Sequence, residues 1–149
     1  MLDNNSYAVV SYGWNEVDRF IDAWRNAGFR IIGHFVFYEK YASNSGMNKK
    51  HMAYRHECAY LLAKGCPQPY EVLPGVMGWN YVGNKFHPTP KPVGLLLKLI
   101  KAFCLIGGTA LKSFVGSGFT AMACVKSQIF DYLGYELDGN YFNIAIKKA

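Results

Sequence analysis

A chain of 149 residues, 51% of them hydrophobic and 16% aromatic, is long enough to bury a core and too apolar to be disordered. Its net charge of +6 and pI near 9.1 fit an anionic partner such as nucleic acid, although the sixteen Lys and Arg are scattered as solubility charges also are. Cys58, Cys66, Cys104 and Cys124 show no C-x-x-C pair and no metal-ligand spacing, no run approaches the roughly eighteen apolar residues of a membrane span, and the N-terminus lacks a signal-peptide pattern, which together point to a cytoplasmic protein with neither disulfide scaffold nor metal site.

Residues 7–12 (Tyr-Ala-Val-Val-Ser-Tyr) are β-branched and aromatic and stop at Gly13, the pattern of a buried strand. Asn15 then stands as N-cap of a helix whose Val17, Phe20, Ile21 and Trp24 share one face, and Gly28 ends it. A second strand covers residues 30–37. From 38 to 50 the chain turns polar, with three lysines and two tyrosines among small residues, a composition suited to a phosphate backbone and equally to a solvated loop. Lys40, Tyr41, Lys49, Lys50 and Arg55 are its candidate nucleic-acid contacts. Residues 55–63 return to an apolar strand ending at Lys64-Gly65. Residues 66–86, rich in proline and glycine, read as a long irregular connection in which Trp79 and Tyr81 either stack on a base or pin the loop. His34, His51 and His56 lack the i, i+4 spacing of helical metal ligands and read as structural.

After Pro92, a helix carries Val93, Leu96, Leu97, Leu99, Ile100 and Phe103 until Gly107-Gly108 stops it. Residues 109–115 are the next strand, Gly116-Ser117-Gly118 turns it, and residues 120–133 form a helix with Met122, Val125, Ile129 and Phe130. Residues 134–138 (Gly-Tyr-Glu-Leu-Asp) read as a strand ending in two carboxylates, and 141–148 as a short basic helix. A glycine turn, a helix and then an acid about twenty residues on is the order that places a ligand's polar end on backbone N–H groups and a carboxylate on ribose hydroxyls.

These residues also carry a family pattern. The chain resembles the C-terminal part of the S-adenosylmethionine-dependent DNA amino-methyltransferases (adenine N6 or cytosine N4), in the subgroup whose cofactor motif follows the catalytic one. Residues 85–92 are similar to that family's His-Pro-Thr-Gln-Lys-Pro, residues 114–120 to its Asp-Pro-Phe-x-Gly-Ser-Gly-Thr turn, and residues 134–138 to its Gly-Ile-Glu-Leu-Asp strand end. Residues 55–65 and Gly13-Trp14-Asn15 resemble segments of phage and plasmid members, enzymes of restriction–modification type. The resemblance implies S-adenosylmethionine as cofactor, held by His87, Thr89, Lys91, Phe114, Gly116, Ser117, Gly118 and Glu136, and double-stranded DNA as partner.

Three departures bear on activity. No Pro-Pro occurs, so the family's polar-Pro-Pro-aromatic catalytic motif is absent and no catalytic residue is assigned; by family order it lies upstream of Tyr7. Lys112 stands where the acid opening the glycine turn is found, with Ser113 for its proline, which replaces attraction to a cationic cofactor by repulsion of a few kcal/mol, on the order expected at an effective dielectric of about 20. Phe119 replaces the first threonine. The fold expected is α/β, an incomplete Rossmann-like methyltransferase sheet lacking its central catalytic strand, with helices on both faces. It is read as one domain over 1–149, with 7–65 the second half-sheet, 66–86 the irregular loop and 87–149 the cofactor-binding half. Losing the central strand leaves exposed edges that either close on each other or are covered by a second copy or a complementing chain. The function expected is that of a truncated or degenerate DNA methyltransferase; the alternatives are a DNA-binding or protein-interaction module and one half of a split enzyme.

Overall fold

The computed structural model describes residues 2–39, 55–79, 91–104, 107–128 and 131–147. They fall into two compact units, one of Met1–Gln68 with Pro74–Asn80, the other of Pro69–Leu73 with Tyr81–Ala149.

The first unit is a four-stranded sheet with a helix on it. Strand β1 (Ser6–Ser11) leads through a 3-10 turn (Trp14–Glu16) into helix α1 (Val17–Asn26), followed by β2 (Arg30–Glu39), β3 (His56–Lys64) and β4 (Val76–Trp79). Their order is β1-β3-β2-β4. The β1–β3 and β2–β3 pairs are antiparallel, with Ser6 opposite Lys64 and Tyr38 opposite His56, and β4 runs parallel to β2. Alternation then sorts the side chains. Phe35 and Phe37, stacked with centroids 5.8 Å apart, lie with Ala59, Leu61 and Ala63 on one buried face. On the other, Trp24 of α1 packs edge-on against Tyr12 and Tyr60. Gly28, at φ +81, ends α1 as expected: its N–H donates to the Arg25 carbonyl and that of Phe29 to the Trp24 carbonyl.

The second unit contains α2 (Val93–Phe103), β5 (Thr109–Lys112), α3 (Phe119–Ser127), β6 (Asp131–Gly134) and α4 (Gly139–Ile146). Strands β5 and β6 form a parallel pair with Lys112 opposite Gly134. Helix α2 packs against α3, burying Leu95, Leu99 and Ala102 on one and Ala121, Ala123 and Cys124 on the other.

Several expectations are corrected. Asn15 caps no helix: it lies inside the 3-10 turn, which the Glu16 N–H closes on the Gly13 carbonyl, and α1 starts at Val17 without a side-chain cap. The stretch 66–86 is not wholly irregular, because β4 pairs with β2 and the Tyr38 ring covers the bare backbone of Gly78. Strand β5 stops at Lys112, short of residue 115. The helix expected over 120–133 ends at Ser127, where Gln128 turns left-handed at φ 64, and Asp131–Gly134 is strand, since its backbone ladders with β5. The strand expected at 134–138 accordingly ends where it was to begin, and the last helix opens at Gly139. Residues 40–54 and 80–90, with the polar loop, His51, Tyr81, His87 and Thr89, lie outside the described residues, as do Ile129 and Phe130.

Candidate functional site

The expected turn follows β5. Val115 donates its N–H to the Tyr135 carbonyl (3.0 Å) and Tyr135 its own to the Lys112 carbonyl (2.9 Å), so the approach to the turn is fastened to the exit of β6. Gly116 and Gly118 sit at φ 58 and φ 83, a region that costs an L side chain but not glycine. Gly118 also has no room for one: a Cβ there would meet the Ala145 Cα of α4 at 2.9 Å. Helix α3 begins directly after Gly118 and no side chain caps it, so its N-terminus faces the turn with backbone N–H groups.

Glu136 closes the arrangement. One carboxylate oxygen accepts from the Gly116 N–H at 2.6 Å, the other from the Asp138 N–H at 3.0 Å. The N–H donors of Asp138 and Gly116 hold its carboxyl below the usual carboxylate range. The group is thereby a fixed pair of acceptor oxygens suited to two adjacent hydroxyls. Asp138, expected beside it as a second strand-end carboxylate, is instead the N-cap of α4: its oxygen accepts from the N–H groups of Asn140 (2.8 Å) and Tyr141 (3.1 Å).

The structure thus brings together Gly116, Ser117, Gly118 and Glu136 of the expected set. Ser117 is buried, whereas Phe114 is 83% exposed just before the turn. Lys91 is half-buried ahead of α2, and Arg55 is exposed before β3. His87, Thr89, Lys40, Tyr41, Lys49 and Lys50 lie outside the described residues. His34 engages the Tyr12 hydroxyl at 2.9 Å, within the aromatic cluster around Tyr60. Burial, with Cys58 and Tyr60 adding to it, pushes the Tyr12 phenol up to about 12. No group of three or more His, Cys, Asp or Glu suited to a metal occurs among the described residues, and no helix there is long and apolar enough to cross a membrane.

Of three further residues near the turn, the sequence reading marks one for its charge alone and does not single out the other two. Lys112, noted for its charge, is half-buried, and burial pulls its ammonium down from the ordinary lysine value. Tyr132 has a covered hydroxyl with no hydrogen-bond partner among the described residues, and burial with neighbouring Cys124 pushes its phenol up to about 12. Its ring lies over Gly134, where a Cβ would meet the Tyr132 hydroxyl at 2.7 Å and a Val115 methyl closer still. The third, Ala145, fills the space beside Gly118. The aromatic, glycine-terminated run Asp-Tyr-Leu-Gly was the strand signal that could have placed Tyr132.

The chain is similar to known methylases along its whole length. YubD of Escherichia coli (strain K12), which bears the name of a methylase, is 46% identical over 142 residues, covering 95% of this chain and 60% of that protein. The chain therefore spans about 60% of the length of that curated relative. Among solved structures, the M1.HpyAVI–SAM complex matches with a TM-score of 0.82 at 19% identity, over 99% of this chain and 76% of that one. The cytosine-N4-specific PvuII DNA methyltransferase matches with a TM-score of 0.81 at 14% identity, over 99% and 64% respectively. At these identities the likeness is one of fold, and it confirms the methyltransferase-like α/β class. The family model for DNA methylase matches residues 1–147, and the chain belongs to that N6/N4 DNA methylase family.

Proposed function

We propose that this chain is the cofactor- and DNA-binding body of an S-adenosylmethionine-dependent DNA amino-methyltransferase. Methyl transfer to adenine N6 or cytosine N4 then requires a polar-Pro-Pro-aromatic segment that these 149 residues do not contain. The observation that carries the reading is the bond from the Gly116 N–H to Glu136, which sets the turn and two acceptor oxygens in one geometry. That geometry fits the adenosine portion of the cofactor, with ribose hydroxyls on Glu136 and polar groups on the uncapped start of α3. When bound, the cofactor supplies an electrophilic methyl group; the residues here bind and orient it. By resemblance, His87, Thr89 and Lys91 support its methionine end; by composition and charge, Lys40, Tyr41, Lys49, Lys50 and Arg55 contact DNA phosphates.

The four free cysteines fit a cytoplasmic setting. Strand β1 lies at the outside of its sheet with its second edge unpaired among the described residues, which favours a second copy or a complementing chain adding a strand there. Calorimetric titration tests the cofactor reading. Wild type should bind S-adenosylmethionine, and Glu136→Gln should weaken binding by about tenfold to a hundredfold through loss of charge-assisted hydrogen bonds worth roughly 1.5–3 kcal/mol each. Equal affinities of the two proteins would remove Glu136 from the site.

A further inference from the structure

The strand that leads into the turn carries an ammonium that no carboxylate among the described residues neutralises. Lys112 ends β5 in register with Gly134. Ala110, Lys112, Tyr132 and Gly134 are the half-buried positions of the two strands, and alternation puts them on one side of the pair. On that side the space over Gly134 is taken by the Tyr132 hydroxyl and Val115. The Lys112 ammonium has no hydrogen-bond or ion-pair partner among the described residues. Glu136, two residues beyond Gly134, directs its carboxylate to the N–H groups of Gly116 and Asp138.

We propose that Lys112 sets the charge of the nucleoside that the turn accepts, favouring the neutral thioether S-adenosylhomocysteine over the cationic sulfonium S-adenosylmethionine. The inference rests on the reading that Gly116 and Glu136 hold an adenosine. Lys112, opposite Gly134, lies about one strand spacing across and two residues along from Glu136, and the sulfonium is bonded to the 5′-carbon of the ribose that Glu136 would hold, which puts the two charges on the order of 10 Å apart. One unit of positive charge at that range, at an effective dielectric of about 20, lowers affinity about tenfold. The two ligands share every adenosine contact, so the ratio of their affinities isolates the charge. Lys112 thereby turns a cofactor pocket into one that retains the demethylated nucleoside.

The test is calorimetric titration of the 149-residue chain at low salt with S-adenosylhomocysteine, S-adenosylmethionine and adenosine. Wild type and Lys112→Arg should bind the thioether about tenfold more tightly than the sulfonium. Lys112→Met should bring the two close to parity, and Lys112→Asp should favour the sulfonium. Adenosine, bound within about twofold by all four proteins, shows that each variant keeps its fold and its site. If adenosine binds but the thioether-to-sulfonium ratio is the same in wild type, Lys112→Met and Lys112→Asp, the role of Lys112 is overturned and the adenosine site stands. If wild type binds none of the three, the adenosine site fails and the inference fails with it.

Discussion

Lys112 and Tyr132 share one half-buried side of a two-stranded pair, and burial acts on them in opposite directions. The lysine's folded value is lowered from 10.5, so the native state holds that proton less tightly than the unfolded chain does. Its penalty is whole below the folded value and is relieved as pH rises through it toward 10.5. The tyrosine's folded value is raised from 10.0 to about 12, so its contribution is whole below pH 10 and is lost as pH rises above that. Replacing Lys112 by Met keeps the stem and removes the charge. The variant should gain about 1 kcal/mol of unfolding free energy at pH 7, with the gain shrinking toward pH 10. Urea unfolding at both pH values checks it; a loss at pH 7 would show that the ammonium stabilises the fold. The charge of Lys112 was legible from its place in the motif. Its burial was not, because the strand paired beside it, β6, was read as helix up to residue 133.

Helix α4 meets the glycine turn at both of its ends. Its N-terminal cap, Asp138, donates its own N–H to Glu136, and Ala145 near the other end lies against Gly118. Gly118 thus answers to two constraints, a left-handed backbone and a missing side chain, whereas Gly28 at φ +81 has nothing within 4 Å of where its Cβ would stand. The two glycines separate these costs. Gly28→Ala should lose about 1 kcal/mol for the backbone alone, and Gly118→Ala about 2–4 kcal/mol, because α4 must also move. Hydrogen exchange should show the loss of protection in α4 for Gly118→Ala only; equal costs would mean that α4 yields freely. Elements with local punctuation were legible: Gly13 and Gly28 bracket α1, and Pro92 opens α2. Strand β4 was missed because its pairing with β2 is set by residues 40 positions away, which no local pattern records. Helix α3 was overextended because Ile129 and Phe130 continue a helical spacing after Gln128 has left it.

At the scale of the molecule the family is fixed by sequence, while the acts of binding rest on charge and position. The positive charge is diffuse: Lys98 and Lys101 are exposed on α2, Lys126 is exposed on α3, and Arg55 is exposed before β3. The DNA contacts were therefore read from composition, where lysines and tyrosines sit among small polar residues in the stretch 38–50. Non-specific binding by such a stretch is driven by release of condensed counterions, and each phosphate neutralised contributes about 0.9 to the slope of log affinity against log salt. Replacing Lys40, Lys49 and Lys50 together by Ala should reduce the magnitude of that slope by roughly 2.7 for a duplex of any sequence. Replacing Lys98 and Lys101, which lie on an exposed helix face outside the expected contact set, should leave it unchanged. Fluorescence anisotropy between about 50 and 200 mM salt resolves the difference. A slope that falls only with the α2 lysines would move the DNA face to α2 and take it away from the polar stretch.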